Sequence, residues 1–168
     1  APAAPGAVPV EVELDAAKVR GLAAVRLEVA RDAEGEGGAT VADVMSTDPL
    51  VVAPEDTLGE VAEKMRARDL GSALVADYGR LIGILTSRDL LRAFAGRVHP
   101  SEARVREWMT AEPVTVSAAT PIDAAVTLMT EYGFHHLPVV EDERPTGMLG
   151  LRQAARQARG RIGIGLGF

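Results

Sequence analysis

The chain has 168 residues, of which 47% are apolar and 25% charged, so it can bury a sizeable core and is too apolar for a disordered protein. Its net charge of -6 argues against sequence-independent nucleic-acid binding, because that affinity comes from Lys and Arg side chains that meet phosphates. The absence of cysteine excludes disulfides, thiolate metal ligands and cysteine nucleophiles.

The N-terminal segment, residues 1–38, is predicted to contain extra strands followed by a linker. Apolar and polar residues alternate in VPVEVEL and again in AVRLEVA, which predicts half-buried strands within 8–31. GEGG at 35–38 is typical of a flexible linker. The opening residues lack the charged and apolar regions of a signal peptide, and no apolar run in the chain reaches membrane-spanning length. We therefore expect a cytoplasmic protein that does not bind a membrane.

A long segment of the chain occurs twice, at a shift of 64 positions. The shift pairs residues of the same type without a gap, among them Met45 with Met109, Gly83 with Gly147 and Arg88 with Arg152. Because the register is continuous, residues 41–92 and 105–156 are predicted to share one fold. We place the two repeats at 39–98 and 99–158.

The first helix of each repeat is predicted to be amphipathic and to follow a short apolar run, LVV or VTV. Asp56 or Thr57 can cap its start in the first repeat, and Thr120 followed by Pro121 at the first helical position does so in the second. Apolar residues recur at the spacing of one buried helix face, at Leu58, Val61, Ala62 and Met65, and at Ile122, Ala125, Val126 and Met129.

Two strands and a second helix complete each repeat. Gly71 and Gly133 are predicted to end the first helices. The strands are predicted at 72–76, 81–85, 136–140 and 146–150. The second helix begins near Thr86 or Gly150. A β-α-β-β-α unit of this size leaves one sheet face uncovered, so we expect an α+β protein in which two pseudo-symmetric repeats pack together.

The last segment, 159–168, ends in RIGIGLGF, in which glycine alternates with apolar residues. The alternation predicts a strand or tail that pairs with the N-terminal strands or with a second subunit. No helix follows these glycines, so they do not form a phosphate-binding loop.

The repeats resemble the cystathionine-β-synthase (CBS) domain, and the tandem pair resembles a Bateman module. VADVMSTDPLVV, RDLGSALVAD and GILTSRDLLRA carry the resemblance in the first repeat, and VREWMTAEPVTV and HHLPVV carry it in the second. It covers about 41–157. The resemblance implies a disc-like module with a cleft between the repeats that binds an adenine nucleotide or a related adenosyl ligand. It also implies regulation rather than catalysis, and dimerisation.

Thr86 and Asp89 lie three residues apart on one face of a predicted helix start. Thr-x-x-Asp is typical of a capping box, and spacing alone favours that interpretation. A carboxylate can instead accept hydrogen bonds from ribose hydroxyls, while the hydroxyl and free N–H groups of a helix start suit ribose or phosphate oxygens. The resemblance favours this second interpretation, because CBS domains hold the sugar at G-x-x-T-x-x-D. Gly150 and Gln153 replace both residues in the second repeat, which predicts one site per chain.

His135 and His136 are adjacent on a predicted strand and therefore point to opposite faces, so they do not predict a metal site. A histidine with its hydrogen bonds satisfied at a strand start is the alternative to a ligand contact. The resemblance implies that these two histidines and Arg152 donate to the phosphate of a nucleotide held by the first repeat. Arg152 would bind it through charge-assisted hydrogen bonds.

Apolar positions complete the site that the resemblance implies. Ile84, Val114 and Thr115 would flank the adenine, although simple core burial also explains them. The helices that carry Met65 and Met129 would form the seam of a homodimer, although methionine more often fills a core.

The sequence therefore predicts a regulatory, ligand-sensing module rather than an enzyme, with no required cofactor and no nucleic-acid partner. AMP, ADP or ATP is the expected ligand, because a phosphate-bearing nucleotide fits the His and Arg donors better than a cationic sulfonium such as S-adenosylmethionine; NAD is also less expected. The alternative is a structural or protein-interaction module that binds no nucleotide. An active site within 1–38 has little support, because that segment contains no histidine.

Overall fold

The computed structural model describes residues 7–11, 26–30 and 38–162, with side chains described in 38–157. It divides into two compact units. Of these described residues, the first unit contains 7–11, 26–30, 38–45, 116–137 and 149–162, and the second contains 46–115 and 138–148. Within the described residues, no helix is long and apolar enough to cross a membrane. The predictions made for 12–25, 31–37 and 163–168 lie outside the described residues.

Two N-terminal strands form where the sequence alternates. Strand β1 (Ala7–Glu11) pairs antiparallel with β2 (Arg26–Ala30), with Val8 opposite Val29. The prediction of extra strands in this segment is confirmed for these ten residues, and the strands pair with each other.

The second unit is built on a four-stranded sheet in the order β3-β4-β5-β6. Strand β3 (Val51–Val52) runs parallel to β4 (Ser72–Asp77), which pairs antiparallel with β5 (Arg80–Thr86). Strand β6 (Thr110–Ala111) pairs antiparallel with the other edge of β5. The strands predicted at 72–76 and 81–85 are confirmed.

Strand β6 approaches β5 closely at a glycine. A Cβ atom at Gly83 would lie 2.5 Å from Met109 Sδ and 3.1 Å from the Thr110 carbonyl oxygen. Of the VTV run at 114–116, where the first strand of the second repeat is predicted, residues 114 and 115 form no strand and Val116 forms only a β-bridge, while the chain pairs with β5 earlier, at β6. Pro113, which lacks an N–H group, follows that short pairing.

Three helices belong to this unit: α1 (Leu58–Ala67), α2 (Ser87–Ala95) and α3 (Val105–Trp108). The predicted apolar face of α1 is confirmed, because Leu58, Val61 and Met65 are buried and Ala62 packs against the same cluster. The cluster also takes side chains from the sheet, α2 and α3: Val52, Ala73, Val75, Leu85, Leu90, Ala93 and Val105, with Trp108 packed against it.

The ends of α1 show how local sequence sets a helix boundary. Thr57 caps it, since its hydroxyl accepts from the Glu60 N–H at 3.2 Å and Glu60 accepts from the Thr57 N–H at 3.0 Å. Hydrogen bonding of the Glu60 carboxylate to the backbone N–H of Thr57, and next to its side chain, lowers the pKa of Glu60. The helix ends at Ala67, and Asp69 adopts a left-handed φ of 53°, so the predicted end at Gly71 is wrong by about one turn.

The first unit contains α4 (Ile122–Tyr132) and α5 (Leu151–Ile162). Pro121 is the N-cap of α4 rather than its first residue, a correction of one position. Gly133 ends α4 in the left-handed conformation at φ 71°, as predicted. A short 3-10 turn, Val41–Asp43, ends with a hydrogen bond from the Val44 N–H to the Val41 carbonyl. The Val41 N–H donates to the Thr120 carbonyl at 2.8 Å.

The remaining strands are β7 (His136–Glu141) and β8 (Arg144–Gly150), which pair as a two-stranded sheet and confirm the strands predicted at 136–140 and 146–150. The strand predicted from 161 onward is wrong at Arg161 and Ile162, which belong to α5. The Arg-, Gln- and Ala-rich run before them favours helix strongly enough to continue it through a glycine.

Methionine side chains on α1 and α4 lie in the core. Met65 is 3% exposed and Met129 is fully buried. The core interpretation of these two side chains is therefore confirmed, whereas a homodimer seam formed by the helices that carry them stays a prediction.

Candidate functional site

The strongest candidate site is the junction between β5 and α2, where Thr86 is the N-cap. The Thr86 hydroxyl accepts from the Asp89 N–H at 3.3 Å. In return, Asp89 Oδ2 accepts from the Thr86 N–H at 2.9 Å and from the Thr86 hydroxyl at 3.0 Å. The capping box favoured by spacing alone is therefore present.

The two carboxylate oxygens of Asp89 have different environments. Oδ2 is occupied by the two donors of Thr86. Oδ1 lies 3.7 Å from a guanidinium nitrogen of Arg92, which is an ion pair but too long for a hydrogen bond. The Asp89 side chain is only 8% exposed. It is thus a nearly buried, fixed carboxylate with one oxygen that can still accept a hydrogen bond.

The start of α2 offers less anion-binding capacity than the sequence suggested. The Ser87 N–H donates to the Gly71 carbonyl at 3.0 Å, and the Asp89 N–H is taken by Thr86. Two of the first three N–H groups of the helix are therefore used inside the protein, and the expectation of free N–H groups here is corrected.

Two of the predicted base-flanking positions follow β6, and the third lies on β5. Ile84 is 7% exposed and has Leu74 and Thr110 as its partners on the neighbouring strands. Val114 and Thr115 are half-buried just after β6. All three belong to the same unit as Thr86 and Asp89.

Ser72 is a candidate that the sequence analysis missed. It is 6% exposed, although its side chain is polar, and it lies directly opposite Thr86 in the β4–β5 register. Under the shift of 64 positions it is equivalent to His136, and that equivalence could have identified it from the sequence.

The start of α5 is the equivalent junction in the first unit. The Gly150 N–H donates to Gln153 Oε1 at 3.3 Å, and the Leu151 N–H donates to the His135 carbonyl at 2.9 Å. The second bond places the backbone of His135 beside the helix start that carries Arg152.

The three predicted phosphate donors lie in the first unit and differ in burial. His135 and Arg152 are exposed, whereas His136 is half-buried. Burial lowers the pKa of His136, and the neighbouring His135 lowers it further, so His136 is held neutral near pH 7. As a neutral ring it can donate a hydrogen bond to a phosphate but adds no charge. Within residues 38–157, no three His, Asp or Glu side chains group as a metal site would require.

A cavity of about 470 Å³ opens in another part of the second unit. It contains none of the residues proposed from the sequence, and it is lined by Val98, His99, Glu102, Ala103, Glu107 and Trp108.

A family model for the CBS domain matches residues 41–96 and 105–159. An uncharacterized 17.7 kDa protein from Acidianus ambivalens is 32% identical over 118 residues, which cover 69% of this chain and 71% of that protein. Other curated relatives are longer, and the chain spans 16% to 26% of four of them. What those whole proteins do is therefore not carried over to this chain.

Solved structures of CBS domain pairs share the fold. The CBS domain pair of protein MJ0100, in complex with 5′-methylthioadenosine and S-adenosyl-L-methionine, matches with a TM-score of 0.68 and 25% identity, over 74% of this chain and 99% of that one. CBSX2 of Arabidopsis thaliana, in complex with AMP, matches with a TM-score of 0.64 and 26% identity, over 74% and 99% of the two chains. The chain belongs to the CBS domain family and carries two CBS domains in tandem.

Proposed function

We propose that this chain is a regulatory module that binds one adenosine-containing nucleotide at the β5–α2 junction and signals by a change of conformation. Family membership supports ligand sensing, since two related domain pairs bind AMP or S-adenosylmethionine with methylthioadenosine. The choice of ligand and the residues that hold it are the parts proposed for this chain.

The observation that carries the proposal is the asymmetry of Asp89. Thr86 fixes Oδ2 with two hydrogen bonds, whereas Oδ1 has only a loose ion pair. A ribose hydroxyl that donates to Oδ1 would form a charge-assisted hydrogen bond to a carboxylate already held in place. The capping box and the ribose contact are therefore compatible, because they use different oxygens.

The base and phosphate contacts complete the proposal. Ile84, Val114 and Thr115 would flank the adenine, and Ser72 would add a hydroxyl beside Thr86.

The phosphate remains assigned to His135, His136 and Arg152 on the basis of the sequence. Arg152 would supply the charge, since His136 is held neutral near pH 7. These donors favour AMP, ADP or ATP over a cationic sulfonium ligand.

We further propose that the module is not catalytic, acts in the cytoplasm and forms a homodimer. The seam would be formed by the helices that carry Met65 and Met129, and Leu91 and Phe94 of α2, which are 69% and 43% exposed, are further candidates for the subunit contact.

A thermal-shift screen of the full chain with AMP, ADP, ATP, NAD and S-adenosylmethionine tests the ligand, followed by calorimetry with the best one. We expect AMP, ADP or ATP to raise the melting temperature. Asp89→Asn keeps one carbonyl oxygen for the helix cap but replaces the second acceptor by an NH2 group. We expect it to weaken binding by at least about tenfold, the loss typical of a hydrogen bond to a charged group.

Gln153→Ala is the matched control, because Gln153 holds the equivalent position in the second repeat and is exposed. Its affinity should equal that of the original chain. If no nucleotide stabilises the chain at millimolar concentration, the alternative of a structural or protein-interaction module stands, and the capping box alone explains Thr86 and Asp89.

A further inference from the structure

Three side chains form a continuous series that starts at the proposed ribose contact. Arg92 lies one turn after Asp89 on α2, with a guanidinium nitrogen 3.7 Å from Asp89 Oδ1. The same guanidinium lies over the ring of Trp108, 5.9 Å from its centre. Arg92 therefore faces a carboxylate on one side and an aromatic ring on the other.

Arg92 is held only weakly by these two partners. Its side chain is 63% exposed, and neither contact is a hydrogen bond. The second repeat has an arginine at the equivalent position, Arg156, but Gln153 offers it no carboxylate. The series is therefore particular to the first repeat, as is the proposed ligand contact.

Trp108 connects this series to the segment 96–104, which lies between α2 and α3. Trp108 ends α3, which directly follows that segment, and its ring packs against the core. The segment is tied to the start of α1, because the Leu58 N–H donates to the Ala103 carbonyl and the Gly59 N–H to the Pro100 carbonyl, both at 3.0 Å. A displacement of the Trp108 ring would therefore act on the segment 96–104, whose backbone is hydrogen-bonded to the start of α1.

We infer that Arg92 is a positioning residue that couples the state of Asp89 to Trp108 and the segment 96–104. In the free chain the Asp89 charge holds Arg92 between the carboxylate and the ring. A donor that binds Oδ1 shares that charge, weakens the ion pair and lets Arg92 shift on the indole face. The use of this coupling by a ligand rests on the proposed function, whereas the coupling itself does not.

Trp108 is the only tryptophan of the chain, so its fluorescence reports on this series directly. The first experiment needs no ligand: emission spectra of the full chain and of Asp89→Asn, each with and without Arg92→Gln. We expect Asp89→Asn to change the emission when Arg92 is present and to leave it unchanged when Arg92 is replaced. Circular dichroism checks that every variant is folded.

The second experiment adds AMP and compares fluorescence with calorimetry on the same samples. We expect AMP to change the Trp108 emission of the original chain with the saturation that calorimetry measures. Arg92→Gln should lose this change while its affinity shifts by no more than about fivefold, since partly exposed ion pairs contribute little. Arg92→Lys should restore part of it. Arg88→Gln, an exposed arginine of the same helix, should behave as the original chain.

The outcomes separate this inference from the proposed function. An Asp89→Asn emission change that is absent, or that is the same with and without Arg92, overturns the coupling. AMP binding that leaves Trp108 emission unaltered overturns the use of the coupling by the ligand. If AMP, ADP and ATP all fail to bind while Asp89→Asn still acts on Trp108 through Arg92, the coupling stands and the proposed function is wrong.

Discussion

The starts of α2 and α5 occupy equivalent positions in the two repeats and use the same backbone frame. The first helical N–H of each donates to the residue before the preceding hairpin, Ser87 to Gly71 at 3.0 Å and Leu151 to His135 at 2.9 Å. The N-cap N–H of each also donates to the side chain three residues later, at 2.9 Å in α2 and at 3.3 Å in α5.

The starts of α2 and α5 differ in their side chains rather than in these backbone hydrogen bonds. In α5, the amide of Gln153 alone accepts from Gly150. In α2, Thr86 adds a hydroxyl that both accepts and donates, and Asp89 adds a charge and a second oxygen. An amide is sufficient for the helix start, so the second oxygen of Asp89 exceeds what capping requires. That excess is the part of the motif that folding does not explain.

The largest expected effect on stability comes from removing the acceptor at each start. Asp89→Ala leaves the N–H and hydroxyl of Thr86 without their acceptor in a nearly buried place, so we expect a loss of about 1–3 kcal/mol in the free energy of unfolding. Gln153→Ala removes one long hydrogen bond from an exposed residue and should change it by about 0.5 kcal/mol or less. Urea unfolding of both variants measures the difference. Equal losses in the two variants would contradict the expected difference between the two helix starts.

Sequence periodicity predicted most of the fold because it reports burial directly. The repeat shift and the spacing of Leu58, Val61 and Met65 identified the helices and the hairpin strands. The short edge strand β6 was missed because its pairing depends on a non-local approach to Gly83, which no local pattern records. The end of α1 was misplaced because an aspartate, Asp69, takes the left-handed position usually given to glycine.

The site was predictable in its residue types but not in the state of its groups. Spacing alone indicated the capping box of Thr86 and Asp89. Spacing could not show that Asp89 Oδ2 accepts hydrogen bonds while Oδ1 has only the loose ion pair. Nor could it show that the Ser87 N–H donates to the Gly71 carbonyl. Both depend on how β4 meets α2. Ser72 was overlooked because a lone serine in an apolar run carries no local signal, and only its equivalence to His136 under the repeat shift marks it.

Rebuilding the first start inside the second repeat should stabilise it by a smaller amount. Gly150→Thr combined with Gln153→Asp recreates the Thr-x-x-Asp pair. A Cβ at Gly150 would meet the amide group of Gln153, with the oxygen at 3.3 Å and the carbon at 3.9 Å, and the shorter aspartate side chain vacates that space. We expect the free energy of unfolding to rise by about 1 kcal/mol, the usual value of an N-cap side chain.

Urea unfolding measures this gain, and each single substitution serves as a control. Gly150→Thr alone should gain less than the pair, because Gln153 would accept only from the backbone. A pair that is no more stable than the original chain would mean that capping at α5 is limited by something other than its side chains.

The smallest effect concerns His136, whose equivalent in the first repeat, Ser72, does not titrate. Burial, and then His135, lower the pKa of His136 below its ordinary value of 6.5. Its protonated form is therefore less stable in the folded chain than in the unfolded one. The resulting stability is fully present above the unfolded pKa and is lost as the pH falls through the folded pKa. We expect the free energy of unfolding to fall on acidification from about pH 7.5 to about pH 5.5.

Replacing each histidine separates the two causes. His136→Ser gives the second repeat the residue of the first and should flatten the acid limb of the stability profile, measured by urea unfolding across the same range. His135→Ser removes only the smaller cause, the neighbouring positive charge, and should flatten it less. An unchanged acid limb in His136→Ser would assign the acid loss to other groups, and the two repeats would then not differ in their response to pH at this position.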